Sequence, residues 1–214
     1  MLNPEFLEAT SVSPKAIKRL QRKETKDAKR TKLLEARTER QRELIKLLNK
    51  FGVVFAVGPA GTGKTYVATR HAGQRLESGE IERIVMTRPT ISQARHRMGF
   101  LPGTADQKMA PWMIPIMDAL RDGISPANME KYRNEKRIEI LPFEQMRGRT
   151  IKNGVFILDE AQNCTFNDLA MFITRVGEDA TVIICGDLDP IQNDLGEDSG
   201  LAEFVAIAET QGLN

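Results

Sequence analysis

The sequence predicts an α/β protein in which a single doubly wound, mostly parallel sheet is flanked by helices and preceded by a basic helical arm. Three observations predict it. Short apolar, β-rich runs recur along the chain, helix-compatible segments separate them, and the first run leads directly into a glycine-rich loop of fixed spacing. Strands alternating with helices are the pattern of parallel βαβ units. Continuous apolar runs are the pattern of strands buried on both faces.

Length and composition bound the rest. At 214 residues, 41% hydrophobic and 28% charged, the chain is expected to be one globular domain with an appended segment. Wholesale disorder, a collagen-like repeat and a disulfide scaffold are all inconsistent with these proportions. The longest apolar runs fall far short of the ~20 residues that span a bilayer. Met1 to Ser11 lacks the basic start and apolar stretch of a signal peptide. Cys164 and Cys185 are too few for a disulfide framework and lack metal-ligand spacing. The expectation is a soluble, cytoplasmic protein with no membrane partner.

Charge is distributed unevenly. Residues 1–50 carry 14 Lys/Arg against 7 Asp/Glu, a local +7, whereas the remainder carries 17 against 22, a local −5. Residues 1–37 are therefore read as a basic arm, helical or partly disordered, and 38–214 as the folded domain. The arm is a solvated polycation able to meet nucleic-acid phosphates. No aromatic residue lies between Phe6 and Phe51, so base stacking from the arm is not expected.

The domain's elements follow in order. Thr38 and Gln41 have capping-box spacing, and Leu44, Ile45 and Leu48 continue at helical spacing. Val53 to Val57 is the first buried strand. Ile84 to Met86, Val155 to Leu158 and Thr181 to Cys185 are three more. Thr65 to Leu76, Trp112 to Leu120 and Asn167 to Val176 read as helices between them.

Gly58-Pro59-Ala60-Gly61-Thr62-Gly63-Lys64-Thr65 matches G-x-x-x-x-G-K-[ST] between a strand and a helix. At average residue frequencies this pattern arises by accident in roughly one chain in a hundred of this length, so an ordinary glycine turn is a poor competitor. Glycines allow successive backbone N–H groups to turn inward around phosphate oxygens, and the following helix presents its positive end. Lys64 is expected at the β- and γ-phosphates of ATP, and the Thr65 hydroxyl at Mg²⁺.

Asp159 and Glu160 end an apolar strand, in the form of a Walker B element. Asp159 is expected in the Mg²⁺ shell. Glu160 is expected to polarise the attacking water, which favours hydrolysis over transfer to a second substrate. After the fourth strand run comes Gly186-Asp187-Leu188-Asp189-Pro190-Ile191-Gln192, at the edge where open α/β sheets bind ligands. Gln192 is a candidate γ-phosphate sensor; a simple turn around Asp187 and Pro190 is the competing reading.

Together these blocks resemble the PhoH family of P-loop ATPases, related to the ATPase half of superfamily 1 helicases. The resemblance rests on the phosphate loop, Thr87-Arg88-Pro89, Gly99-Phe100-Leu101-Pro102-Gly103, Met146-Arg147-Gly148-Arg149-Thr150, Ile157 to Asn163, Gly186-Asp187 with Gln192, and Ser199-Gly200-Leu201. It implies a RecA-like fold, ATP hydrolysis with Mg²⁺, and association of some members with RNA. It places Lys64, Glu160 and Gln192 in catalysis and Gln41 at the adenine edge, where the capping-box reading of Gln41 competes. It also implies that Gln162 couples the nucleotide to a bound strand.

For RNA or single-stranded DNA, the resemblance makes Arg88, Arg95, Arg97, Lys108, Arg147 and Arg149 candidate phosphate contacts. Phe100 and Trp112 are candidate stacking residues, with a core role the stronger reading for Trp112. His71 and His96 have no arrangement around them that suggests catalysis. One RecA-like unit cannot grip and release a strand in alternation, so a motor is expected to be a homo-oligomer. The chain stops at Asn214, before the further strand and arginine-bearing motif that the resemblance implies. A neighbouring subunit is therefore expected to complete the ATP site, with Arg147, Arg149 or Arg175 as the finger. A nucleotide-dependent switch with little turnover, and less favourably a small-molecule kinase, are the alternatives.

Overall fold

Val53 to Val57 forms a strand because branched and aromatic side chains fit a pleated, half-buried surface, and the same logic repeats along the chain. The computed structural model describes residues 33–89, 105–150 and 152–210, with backbone alone for 105–112 and Pro190. The elements run α1 (Glu39–Lys50), β1 (Val53–Val57), α2 (Lys64–Ser78), β2 (Arg83–Arg88), α3 (Ala105–Gly123), α4 (Pro126–Asn134), β3 (Ile138–Pro142), β4 (Gly154–Leu158), α5 (Phe166–Ile173), β5 (Thr181–Gly186) and α6 (Leu201–Thr210). Arg95, His96, Arg97, the Gly99 to Gly103 block and most of the basic arm lie outside the described residues.

The five strands form one sheet in the order β1-β5-β4-β2-β3, and every pairing is parallel. The doubly wound α/β class expected from the sequence is the one observed. β5 intervenes between β1 and β4, which places the ends of those two strands about 10 Å apart at ~4.8 Å per strand. β4 and β5 are buried along their whole length, whereas β1, at an edge, alternates between buried and half-buried.

Alternation along the strands divides the core in two. Val54, Ala56, Ile84, Met86, Val155, Ile157 and Ile183 face one way, against Leu48, Val67, Ala72, Leu76 and Leu120. Val85, Phe156, Leu158, Val182 and Ile184 face the other, against Leu169, Phe172 and Leu201. There the Phe156 and Phe172 rings meet edge to face at 5.8 Å.

The sequence under-read several elements. β3 was not among the expected strands, because Glu139 interrupts its apolar run and Pro142 ends it; such a strand survives at an edge, where it pairs with β2 alone. α4, also outside the expected elements, begins with Ser125 as its N-cap and Pro126 in its first turn, a local helix-start signal. α3 starts seven residues before Trp112 and runs through Pro111 and Pro115; prolines in mid-helix argue against helix on local grounds. α5 ends at Ile173 instead of Val176, and α6 was not expected.

The start of the domain is tied down. The Leu33 carbonyl accepts a hydrogen bond from Arg70 Nη2 at 3.1 Å, and Leu34 packs against the core while Leu33 remains 81% exposed. Among the described residues no helix is long and apolar enough to cross a membrane.

His71 lies in α2, packed toward α1. It is buried, with Nε2 at 2.9 Å from Asn49 Oδ1 and Nδ1 without a partner among the described residues. Burial, reinforced by the Arg75 charge and opposed by Glu80, lowers its pKa to about 4. The unfolded chain takes up this proton as pH falls through its ordinary value near 6.5, while the folded protein resists until about 4. Stability contributed by neutral His71 is therefore full above pH 6.5 and is lost as pH falls toward 4, by about 3 kcal/mol at most. Urea midpoints of the wild type and His71→Gln at pH 7.5 and 5 should diverge, with the variant less acid-sensitive. Equal slopes would contradict this account.

Candidate functional site

The glycine-rich loop leaves the sheet at the carboxyl end of β1. Gly58 N–H donates to the Gly186 carbonyl at 3.2 Å, one bond past the β1–β5 ladder. The Thr62 hydroxyl closes the loop onto the Pro59 carbonyl at 2.8 Å. Gly63, the N-cap of α2, has φ +86, a backbone conformation that favours glycine, and a Cβ there would stand 3.0 Å from the movable Gln41 Nε2. Lys64 Nζ donates to the carbonyls of Gly58 at 2.5 Å and Pro59 at 2.8 Å, which holds the ammonium over the loop. The first N–H groups of the 15-residue α2 have no acceptors within the helix. This is an anion-binding end with an added cation.

Asp159 follows β4 and is fixed by its N–H donating to the Thr87 carbonyl at 2.9 Å. The Thr65 hydroxyl donates to Asp159 Oδ1 at 2.5 Å. Burial pushes the Asp159 pKa up; the Thr65 hydrogen bond opposes this, the Glu160 charge adds to it, and Arg88 opposes it. A desolvated carboxylate beside a hydroxyl is a hard-oxygen donor pair that fits Mg²⁺. Among the described residues no group of three or more His, Cys, Asp or Glu side chains could hold a metal by itself. Both cysteine thiols are buried, and burial pushes their pKa values up.

Glu160 has a left-handed backbone, φ 55 and ψ 43, an uncommon conformation for a residue with a side chain. Its Oε2 accepts from Gln162 Nε2 at 2.5 Å. Gln162 is itself buried; Nε2 also donates to the Gln192 carbonyl at 3.3 Å, and Oε1 accepts from the Asp187 N–H at 3.1 Å. Both amide ends are thus engaged, joining the ends of β4 and β5. Asp187 Oδ1 accepts from the Asp189 N–H at 3.0 Å, a local turn of the kind the competing reading of this segment describes. Behind these turns the chain passes through Gly200, where a Cβ would fall 2.1 Å from the Phe166 backbone nitrogen.

Gln41 is not the reciprocal half of a capping box. Thr38 Oγ1 accepts from the Gln41 N–H at 3.2 Å, but Gln41 Oε1 accepts from Arg37 N–H at 2.9 Å and Nε2 donates to the Thr62 carbonyl at 3.0 Å. The carboxamide therefore lies against the glycine-rich loop. Gln41, the loop, Thr65, Asp159, Glu160 and Gln192 form one continuous chain of contacts and sequence neighbours.

Of the arginines, Arg88 ends β2 and pairs with Glu160, Nη2 to Oε1, at 3.7 Å. That contact was not legible in the sequence. Arg149 is paired with Glu139 at 2.8 Å, and Arg147 is exposed beside it. Arg175 follows α5, with its Nε buried and unbonded among the described residues. The Lys108 and Trp112 side chains and Phe100 lie outside what is described.

A family model described as "PhoH-like protein" matches residues 33–213. A PhoH-like protein of Bacillus subtilis is 42% identical over 178 residues, covering 83% of this chain and 55% of the relative. Protein PhoH of Escherichia coli K12 is 39% identical over 180 residues, covering 83% and 51%. The chain thus spans about half the length of the curated relatives it matches. Among solved structures, the UvsW helicase from bacteriophage T4 aligns with 89% of this chain and 67% of its own at 12% identity and a TM-score of 0.48.

Proposed function

The chain belongs to the PhoH-like protein family, and from that premise we propose that it binds ATP with Mg²⁺ and hydrolyses it, in a homo-oligomer whose turnover is coupled to RNA or single-stranded DNA. The observation that carries this reading is the 2.5 Å hydrogen bond between Thr65 and Asp159. It joins the glycine-rich loop to the acidic end of β4 across 94 residues of sequence.

In this reading the loop amides of residues 58–65 and the Lys64 ammonium take the β- and γ-phosphate oxygens, and Gln41 reads the adenine edge. Thr65 and Asp159 hold Mg²⁺, which neutralises charge building on the phosphate oxygens. Glu160 accepts a proton from a water whose oxygen attacks the γ-phosphorus, and the bond to the ADP oxygen breaks. Gln192 lies beside the γ-phosphate and is coupled to Glu160 through Gln162. Arg88 and Arg147 face a phosphodiester strand, and an arginine from a neighbouring subunit completes the site.

The test is phosphate release by the purified chain with Mg·ATP, alone and with oligo(U) or oligo(dT). Turnover that rises with either strand supports the proposal. Binding without turnover favours the switch, and phosphate transfer to a metabolite favours a kinase. The basic arm adds a separate expectation. Deleting residues 1–32, which spares the Leu33 anchor, should weaken strand affinity and flatten the slope of log affinity against log salt. Salt titrations with identical slopes would reduce the arm to a solvated tail.

A further inference from the structure

Glu160 is held from two sides, and the sheet order gives those sides different meanings. The glycine-rich loop belongs to β1, which lies beyond β5 on one flank of β4. Gln162, anchored to the Asp187 N–H after β5, reaches Glu160 Oε2 from that flank. Arg88 ends β2, the neighbour of β4 on the opposite flank, and reaches Oε1 at 3.7 Å. One contact draws the carboxylate toward the phosphate loop and the other draws it away.

The two tethers also differ in strength. The Gln162 amide is buried and makes a short hydrogen bond, whereas the Arg88 and Glu160 side chains are 32% and 36% exposed. An ion pair at this separation and exposure is weak and easily exchanged for another anion. Arg88 stands in register with Pro142 at the end of β3, and the short turn after β3 leads to the exposed Arg147. A phosphodiester lying across the ends of β2 and β3 would meet Arg88 from its solvent side, and guanidinium groups pair readily with phosphate.

We infer that Arg88 is a positioning residue which restrains Glu160 away from the phosphate loop, and that a strand phosphate taking Arg88 releases Glu160 toward the attacking water. This rests on the hydrolysis reading above and adds how the strand regulates it. The left-handed backbone at Glu160 favours such a device: the main chain is fixed by the Asp159 N–H to Thr87 and by the Asn163 N–H to the Glu160 carbonyl at 3.0 Å. The carboxylate therefore changes partner by side-chain rotation alone.

The experiment compares wild type, Arg88→Gln and Arg88→Lys in steady-state ATP hydrolysis without strand and with saturating oligo(U) or oligo(dT). Arg88→Gln should raise the strand-free kcat by about two- to fivefold, the most that release of one weak, part-exposed ion pair allows. It should leave KM for ATP unchanged and bring the stimulation ratio close to one. Arg88→Lys keeps the charge and should restore a low strand-free rate. Stimulation by both strands identifies the phosphodiester as the ligand, and stimulation by oligo(U) alone adds a requirement for the ribose hydroxyl. A strand-free kcat for Arg88→Gln at or below wild type overturns the inference, as does full stimulation of that variant. So does a wild type that hydrolyses ATP without any strand response, whereas a wild type with no hydrolysis removes the parent reading as well. Retained binding of a non-hydrolysable ATP analogue by Arg88→Gln separates a lost fold from a lost tether.

Discussion

Replacing Lys64 with alanine is expected to lower ATP turnover by about 10²–10³-fold, the usual loss when one preorganised donor to a developing oxyanion is removed. The ammonium sits over the loop through bonds to the Gly58 and Pro59 carbonyls, so the variant loses the point charge while the glycine backbone and the amide end of α2 remain. Alanine is a good helix former at this first position of α2, and the melting temperature should stay near that of wild type. A variant that melts normally and turns over within twofold of wild type would remove the phosphate loop from the chemistry.

Glu160→Gln separates binding from reaction. The substitution preserves shape and an oxygen able to accept the Gln162 amide, but a carboxamide cannot take the proton of the attacking water. Turnover should fall by about 10²–10⁴-fold. Mg·ATP binding should survive, because Glu160 is one of the charges that raise the Asp159 pKa, and removing it eases ionisation of the carboxylate proposed to hold Mg²⁺. Single-turnover phosphate release alongside equilibrium nucleotide binding checks both halves. A variant that binds normally and also reacts normally would leave Glu160 without a role in the step.

Much of this architecture could be read from local pattern. The runs at Val53, Ile84, Val155 and Thr181 become β1, β2, β4 and β5 because uninterrupted apolar stretches suit strands covered on both faces. The loop at Gly58 to Thr65 was legible because its glycines and Lys64 answer to chain neighbours alone. β3 and α4 were missed where the local signal was short or polar, and where edge pairing or helix packing outweighed it.

The candidate site was half legible for the same reason. Local sequence placed Thr65 at the start of a helix and Asp159 at the end of a strand, since both positions follow from a few adjacent residues. It had no means of ordering the sheet. Only tertiary structure set β5 between β1 and β4 and β2 on the far flank, which decides that Gln162 and Arg88 reach Glu160 from opposite sides. It likewise decided between the two readings of the Gln41 side chain, which lies against the glycine-rich loop and does not close a capping box. Backbone preferences act over a few residues, whereas the contact between Thr65 and Asp159 spans 94; such a contact depends on strand order, which is settled by how the two apolar faces of the whole sheet are covered.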